Sequence, residues 1–221
     1  VVFEAGNVGK DKYSCAGLNS LKLLTTHHDI SERHFSTFEA TSAATALAAN
    51  FSARILHEYP NLWPETVRAL LIHSAEWTDA MKEQFTDPRK TDKHNAKRLA
   101  RCVGFGAPSV NRALSSLKNS VVMVVEDHIQ PFEKKKGKSP STKDMHLHEL
   151  PWPKDLLTSL GDTEIKMTVT LSYFVEPNPS SRNVSSKYRY PSHQLRFDVK
   201  RPTESTDAFK ARMSRAAQSA E

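Results

Sequence analysis

The chain has 221 residues, of which 38% are hydrophobic and 25% are charged. This composition can fill one large core or two modest ones, which excludes a disordered protein. The chain contains no apolar run of the roughly 18 residues that a membrane-spanning helix needs, so we expect no membrane partner. The formal net charge of +6 is small for the length and does not by itself indicate a nucleic-acid-binding protein.

Two further features concern the cellular setting. Cys15 and Cys102 are the two cysteines of the chain and do not form a disulfide framework, so free thiols predict a reducing, cytoplasmic location. The chain opens on the apolar run that begins at Val1, from which we expect it to be part of a longer protein.

The first predicted element is a buried parallel strand, Val1 to Phe3, followed by a turn from Glu4 to Gly9. Open α/β sheets present ligand-binding groups in such a turn. Asn7 is the informative residue, because a side-chain amide can donate hydrogen bonds to an oxyanion. The alternative is an ordinary turn rich in glycine and asparagine.

A second short strand is predicted from Leu21 to Thr25. Three histidines follow it, His27, His28 and His34, and each offers a group that could act as a base. Adjacent histidines are commonly exposed loop residues, so we predict a loop here.

A helix made mostly of alanine is predicted to begin near Ser42 and to run to about His57. Leu47, Phe51 and Ile55 recur at intervals of four residues, which favours a buried central helix. A serine at its start would project its hydroxyl from a turn whose free amides and dipole face outward. The alternative is that Thr41 or Ser42 is simply an N-cap.

Further helices follow in the sequence. Pro64 is placed to open a helix whose apolar stripe is Trp63, Val67, Leu70 and Leu71, with His73 in or beside that face. The charged stretch from Asp79 to Arg101 predicts a solvated helix and loop, and a short helix is predicted from Asn111 to Lys118.

Four segments together resemble the subtilisin-like serine protease (subtilase) family. They are the motif Ala40-Thr41-Ser42-Ala43-Ala44, the Ala-Gly-Asn turn within Val1 to Gly9, the helix within Leu62 to Leu71, and the glycine-rich turn Gly104 to Val110. The chain departs from the family pattern at Ala40, where the family usually has glycine, and at Ala46, where a proline often stands. Ala40 would be strained if its backbone needs a positive φ.

The resemblance implies an α/β fold, with residues 1–118 as the C-terminal half of a subtilisin-like parallel-sheet protease domain of a bacterial intracellular-type member. It implies Ser42 as nucleophile, with Asn7 and the Ser42 backbone amide as the oxyanion hole. The family order is Asp, His, Ser, so both partners of the serine are expected upstream of Val1. It also implies a protein or peptide substrate, no cofactor, and the upstream half of the same protein as a partner. The stretches Leu171 to Pro179 and Phe197 to Glu204 resemble a subgroup of the family whose proteases are encoded beside ATPases, which implies an ATPase encoded nearby as a further partner.

The period of the apolar residues changes after Lys118. A continuous apolar run predicts a strand at Val121 to Glu126, and alternating apolar residues predict strands at Met167 to Val175 and Leu195 to Val199. We therefore predict a small antiparallel β-sandwich, jelly-roll-like, over residues 119–204. The remaining residues, 205–221, predict a helix.

Two polar segments contain residue types that can bind nucleic acid or a metal ion. The lysines of Lys134 to Lys138 have no interleaved aromatic residues, so we interpret the segment as a solvated loop and expect no nucleic-acid partner. The segment His146-Leu147-His148-Glu149 offers residue types that bind zinc, but it lacks a matching second cluster, so we expect polar surface and no metal.

The predicted function is that of a serine endopeptidase that hydrolyses peptide bonds through an acyl-enzyme. This chain alone is predicted to be inactive, because the catalytic Asp and His are expected upstream. The alternative is a catalytically inactive fragment or pseudoprotease that acts as a protein-interaction module.

Overall fold

The structure is a computed structural model that describes residues 1–118, 122–130, 132–139, 141–149, 153–174, 195, 197–201 and 203–218. It divides into two compact units. The first comprises residues 1–129 and 145–172, and the second comprises residues 130–144 and 173–221. Each unit is described by itself.

The first unit begins with two antiparallel hairpins. Strand β1 (Val8–Lys10) pairs with β2 (Cys15–Gly17), and β3 (Leu23–Thr26) pairs with β4 (Phe35–Phe38). A short 3-10 helix, Asn19–Leu21, connects the hairpins. The strand predicted at Leu21 to Thr25 is therefore present, displaced by one or two residues. Within the described residues every strand pairing is antiparallel, so the predicted parallel sheet is not seen there.

The predicted strand Val1 to Phe3 is not a strand in the structure. Val2 donates its backbone N–H to the Gly106 carbonyl at 3.0 Å, and the Phe3 ring packs edge-on against Phe51 with centroids 6.0 Å apart. A parallel strand requires a neighbouring strand to pair with, and the described residues place none beside this segment. Val1 to Phe3 is consequently held by one backbone bond and by apolar packing.

Helix α1 (Thr41–Glu58) contains the alanine-rich sequence. Its buried face consists of Ala43, Phe51 and Ile55, whereas Leu47 is 39% exposed. The prediction of a buried central helix is therefore wrong for the described residues. The physical reason is that the two helices packed on it, α2 (Pro64–His73) and α5 (Val110–Lys118), cover only one side of α1.

The core of the first unit lies between these three helices. Its buried members are Phe51, Ile55, Val67, Leu70 and Ala113. Pro64 occupies the first turn of α2, as predicted from its fixed φ and missing N–H. The predicted helices near Pro64 and Asn111 are both confirmed by these bounds.

The charged stretch forms helices α3 (Asp79–Phe85) and α4 (Asp92–Val103), which pack on each other. Threonines cap both: Thr78 accepts from the Met81 N–H, and Thr91 accepts from the His94 N–H, each at 3.3 Å. The helix-loop prediction is confirmed, although α4 also buries Leu99 and Val103.

Two later segments of the first unit, around Glu126 and Thr170, contact α2 and the residue before it through polar groups. The Glu126 carboxylate accepts hydrogen bonds from the Trp63 N–H, at 2.8 Å, and from the Thr66 hydroxyl at the start of α2. His73 Nδ1 lies 2.9 Å from the Thr170 hydroxyl, and the placement of His73 in or beside the apolar face of α2 stays a prediction. A short helix, α6 (Lys154–Ser159), lies within this part of the chain.

The predicted strands of the β-sandwich are not strands where the structure describes them. This holds for residues 122–126, 167–174, 195 and 197–199, while residues 121, 175 and 196 lie outside the described residues. Three apolar side chains of the second segment, Met167, Val169 and Leu171, are 42–47% exposed. The sandwich and its domain boundaries at residues 118 and 204 stay predictions, and the two compact units divide the chain at other places.

The second unit contains one hairpin and one helix among its described residues. Strand β5 (Phe132–Glu133) pairs antiparallel with β6 (Ser141–Thr142), and the lysine segment forms the exposed turn between them. Helix α7 (Thr206–Gln218) corresponds to the predicted C-terminal helix. Its Arg212 donates to Glu204 at 2.9 and 3.0 Å and also to Asp198.

No helix among the described residues is long and apolar enough to cross a membrane.

Candidate active site

The structure joins the two segments that were predicted to carry the oxyanion hole and the nucleophile. The Ala40 backbone N–H, directly before α1, donates to the Ala5 carbonyl at 2.8 Å. Gly6 has φ +84°, and a Cβ placed on it would lie 2.9 Å from the Glu39 Cβ. Only glycine tolerates both this φ and this close approach. The Ala-Gly-Asn turn therefore lies directly against the turn that precedes Ser42.

Ser42 is the second residue of α1, and it is exposed. The N-cap of the helix is Ala40, which makes no side-chain capping bond, so neither Thr41 nor Ser42 is the N-cap. Within the described part of the chain, no hydrogen bond involves the Ser42 hydroxyl. The first-turn amides of a helix carry partial positive charge and lack intrahelical partners, so this serine lies where a developing negative charge would be stabilised.

Asn7 is exposed and is fixed through its backbone and its side-chain oxygen. Its backbone N–H donates to the Leu21 carbonyl at 2.8 Å. Its Oδ1 accepts the Val8 N–H at 2.8 Å. This bond orients the amide so that Oδ1 is occupied, and across the described residues no hydrogen bond uses Nδ2. The amide N–H groups are thus available to a ligand.

Glu39 and Lys22 add an ion pair beside this turn, with Nζ and Oε1 3.1 Å apart. The sequence does not point to either residue, because the pairing depends on the contact between the 3-10 segment and the end of β4. No local sequence pattern indicates it.

The histidines considered as bases lie at the other end of the β3–β4 hairpin. Ser42 follows Phe38, which pairs with Leu23, whereas the histidine loop follows the Thr26–Phe35 pair. Three residue steps along a strand span about 10 Å. The hairpin therefore separates its two ends by roughly that length.

The histidine loop is also closed on itself. His27 is 8% exposed, its Nδ1 lies 2.9 Å from the Asp29 carbonyl oxygen and 3.2 Å from the Asp29 backbone nitrogen, and its ring lies 4.3 Å from that of His28. The His27 N–H donates to the His34 carbonyl at 3.0 Å. His28 and His34 are exposed loop residues as predicted, whereas His27 lies in the loop but is buried.

The predicted glycine-rich turn also contacts the start of the chain. Gly106 accepts from Val2 as described above, and Ala107 exchanges two backbone hydrogen bonds with Glu76, at 2.9 and 3.1 Å. The Trp77 indole N–H donates to the Gly104 carbonyl at 2.9 Å. The turn therefore anchors the segment that leads into Asn7 to the region between α2 and α3.

The polar segment His146 to Glu149 does not form a comparable site. His146 Nδ1 lies 2.8 Å from Asp127 Oδ2, and the His146 and His148 rings are 6.2 Å apart. The described residues contain no group of three or more His, Cys, Asp or Glu side chains that could hold a metal ion.

The mixture of helices and small antiparallel sheets, with a serine at an uncapped helix start, is consistent with an α/β subtilase-like fold. The model of the subtilase family matches residues 1–106, which include Asn7, Ser42 and Gly106. Residues 1–106 are thus similar to the subtilase family, and this similarity supports a serine protease-type function in general. No curated protein matches the chain, and no solved structure matches it.

Proposed function

We propose that this chain supplies the nucleophile and the oxyanion hole of a serine endopeptidase. Ser42 is the nucleophile, and the Asn7 side-chain amide and the Ser42 backbone N–H bind the oxyanion. The observation that carries the proposal is the hydrogen bond from Ala40 to Ala5, because it holds the asparagine turn against the start of α1. The Ser42 hydroxyl and Asn7 Nδ2, which make no hydrogen bond within the described residues, support the same roles.

The proposed reaction is acyl transfer to Ser42. Its Oγ attacks the carbonyl carbon of the peptide bond while a general base takes the hydroxyl proton. The carbonyl oxygen becomes an oxyanion, which the two N–H donors stabilise more strongly than the ground-state carbonyl. The C–N bond then breaks as the leaving amine receives the proton. Water hydrolyses the acyl-enzyme in the second half of the reaction.

The base and the carboxylate that orients it are proposed to come from outside this chain, from the upstream half of the same protein. The histidine loop follows the end of the β3–β4 hairpin opposite to the end that leads into Ser42, which supports this part of the proposal. Without a base, the serine hydroxyl is a poor nucleophile, so the isolated chain is expected to be inactive.

A serine-directed fluorophosphonate probe tests the proposal. The full-length gene product should be labelled at Ser42, and Ser42→Ala should abolish labelling. The control is Ser52→Ala in the same helix, where the hydroxyl donates to the Ala48 carbonyl at 3.0 Å, and it should be labelled as strongly as the unchanged protein. The isolated chain of residues 1–221 should not be labelled.

Asn7→Ala gives a second measurement on the same protein. Loss of one oxyanion-hole donor costs about 10²–10³ in turnover, a magnitude established on subtilisin itself, and we expect a loss of that order here. Failure of the full-length protein to react at Ser42 would favour the alternative, a pseudoprotease that acts as a protein-interaction module. Strong labelling of the isolated chain would show that the base lies within it.

A further inference from the structure

Ala40 has a backbone conformation that alanine rarely adopts. Its φ is +97° and its ψ is 171°, and it is the one non-glycine residue with positive φ among the described residues. This region of backbone space is populated essentially by glycine, because in other residues the Cβ collides with the backbone. The strain lies two residues before Ser42.

Hydrogen bonds on both sides of Ala40 hold it in this conformation. Its N–H donates to Ala5, as described above, and its carbonyl accepts the Ala43 N–H at 2.9 Å, in the first turn of α1. Rotation of φ to a negative value would turn the N–H away from Ala5 or the carbonyl away from Ala43. A relaxed Ala40 would thus release the asparagine turn from the helix that carries Ser42.

Two neighbouring contacts also hold the two turns together. Gly6 already has a positive φ, and a Cβ placed on it would lie 2.9 Å from the Glu39 Cβ. Glu39 is in turn paired with Lys22. These contacts favour the closed arrangement of the two turns, whereas the strain at Ala40 opposes it.

We propose that Ala40 is a positioning residue that sets the fraction of protein molecules in which Asn7 and Ser42 are held together for reaction. This inference rests on the proposed function. Conformational strain of this kind corresponds to a factor of about 5 to 150 in a two-state population. In the open arrangement the nucleophile and the oxyanion donor are separated. In the closed arrangement they form one site, and strain at Ala40 limits its population.

The test compares Ala40→Gly with Ala46→Gly in the full-length protein. Glycine adopts the conformation of residue 40 without the Cβ collision, so Ala40→Gly should raise kcat about 5-fold or more. KM should change by less than about 2-fold, because the oxyanion donors act chiefly in the transition state. Ala46 is an exposed residue of α1, so the same chemical change there should leave both constants within about 2-fold.

A third variant extends the test in the opposite direction. Ala40→Val places a β-branched side chain at the strained position, where it is disfavoured more strongly than alanine, and should lower kcat at least 5-fold. The burst of probe incorporation counts reactive protein, so a loss of folded material is separated from a change in rate. If Ala40→Val does not fold, the comparison of Ala40→Gly with Ala46→Gly decides alone.

The outcomes separate this inference from the proposed function. If Ser42→Ala retains activity, the proposed function fails. If Ser42→Ala abolishes activity but Ala40→Gly behaves like Ala46→Gly, Ser42 keeps its role and the inference about Ala40 is overturned. An increase in KM together with kcat for Ala40→Gly would also overturn it, because that pattern indicates altered substrate binding.

Discussion

Gly106 lies close to the backbone of Glu76 and Trp77 in a conformation that favours glycine. Its φ is +96°. A Cβ at this position would lie 2.1 Å from the Glu76 carbonyl oxygen, 2.3 Å from the Glu76 carbonyl carbon and 2.8 Å from the Trp77 nitrogen. All three are backbone atoms, so the contact cannot be relieved by rotating a side chain. Gly106→Ala must therefore displace the backbone around Glu76.

Two contributions determine the expected loss of stability. A non-glycine residue in the left-handed region costs about 1–2 kcal/mol. Displacement of Glu76 also breaks its two backbone hydrogen bonds with Ala107, each worth about 0.5–1.5 kcal/mol. Together these contributions lower the free energy of unfolding by about 2–5 kcal/mol.

The assay is chemical denaturation of Gly106→Ala and of a matched control, Gly161→Ala, followed by circular dichroism. Gly161 belongs to the same compact unit and has φ +55°, but a Cβ placed on it would meet nothing within 4 Å. The control should show the conformational cost alone, about 1–2 kcal/mol. Equal losses in the two variants would refute the argument, because they would show that the contact with Glu76 contributes nothing.

Two further predictions concern the C-terminal half of the chain. Leu171 is 42% exposed, so Leu171→Asp should change the free energy of unfolding by no more than about 0.5 kcal/mol. The control is Leu70→Asp, which places a charge in the core and should unfold the first unit. Broad loss of structure in Leu171→Asp would instead support the predicted β-sandwich. In the second unit, the hydrogen bond from Arg212 lowers the pKa of Glu204 from 4.5 to about 2. Because this pKa is lower in the folded state, the ionised pair stabilises the unit above about pH 4.5, and the contribution is lost as the pH falls toward 2. Arg212→Gln should flatten the loss of α7 ellipticity over that range, and an unchanged pH profile would contradict the role of the pair.

The helices of the first unit were predictable because their signals are local. A proline in the first turn of a helix is favoured wherever the helix lies, since its ring fixes φ and its missing N–H has no partner there. Pro64 and the capping threonine Thr91 act within their own turns. The resemblance to the subtilase family was likewise identifiable from short motifs, and the family match over residues 1–106 includes the first three of them in chain order and the start of the fourth.

The strand predictions show what an alternating pattern leaves undecided. Alternation indicates that a segment has two unlike faces, but not which face another element covers. In the segment around Leu171, the polar Thr170 contacts His73 of α2, and Ser172 accepts a hydrogen bond from Arg68 of the same helix. The apolar face was predicted to be buried and is instead exposed.

The sequence by itself determined that the alanine-rich segment is a helix, that Ser42 lies near its start and that glycines occupy the sharp turns. Helix propensity, capping and freedom of φ act over only a few residues, so these features do not depend on distant contacts. Only the tertiary structure decided that Ala40, and not Ser42, is the N-cap, and that the asparagine turn lies against it. The bond from Ala40 to Ala5 joins residues 35 positions apart in the sequence. The strain at Ala40 arises because that long-range contact holds its φ at a positive value, which alanine rarely adopts.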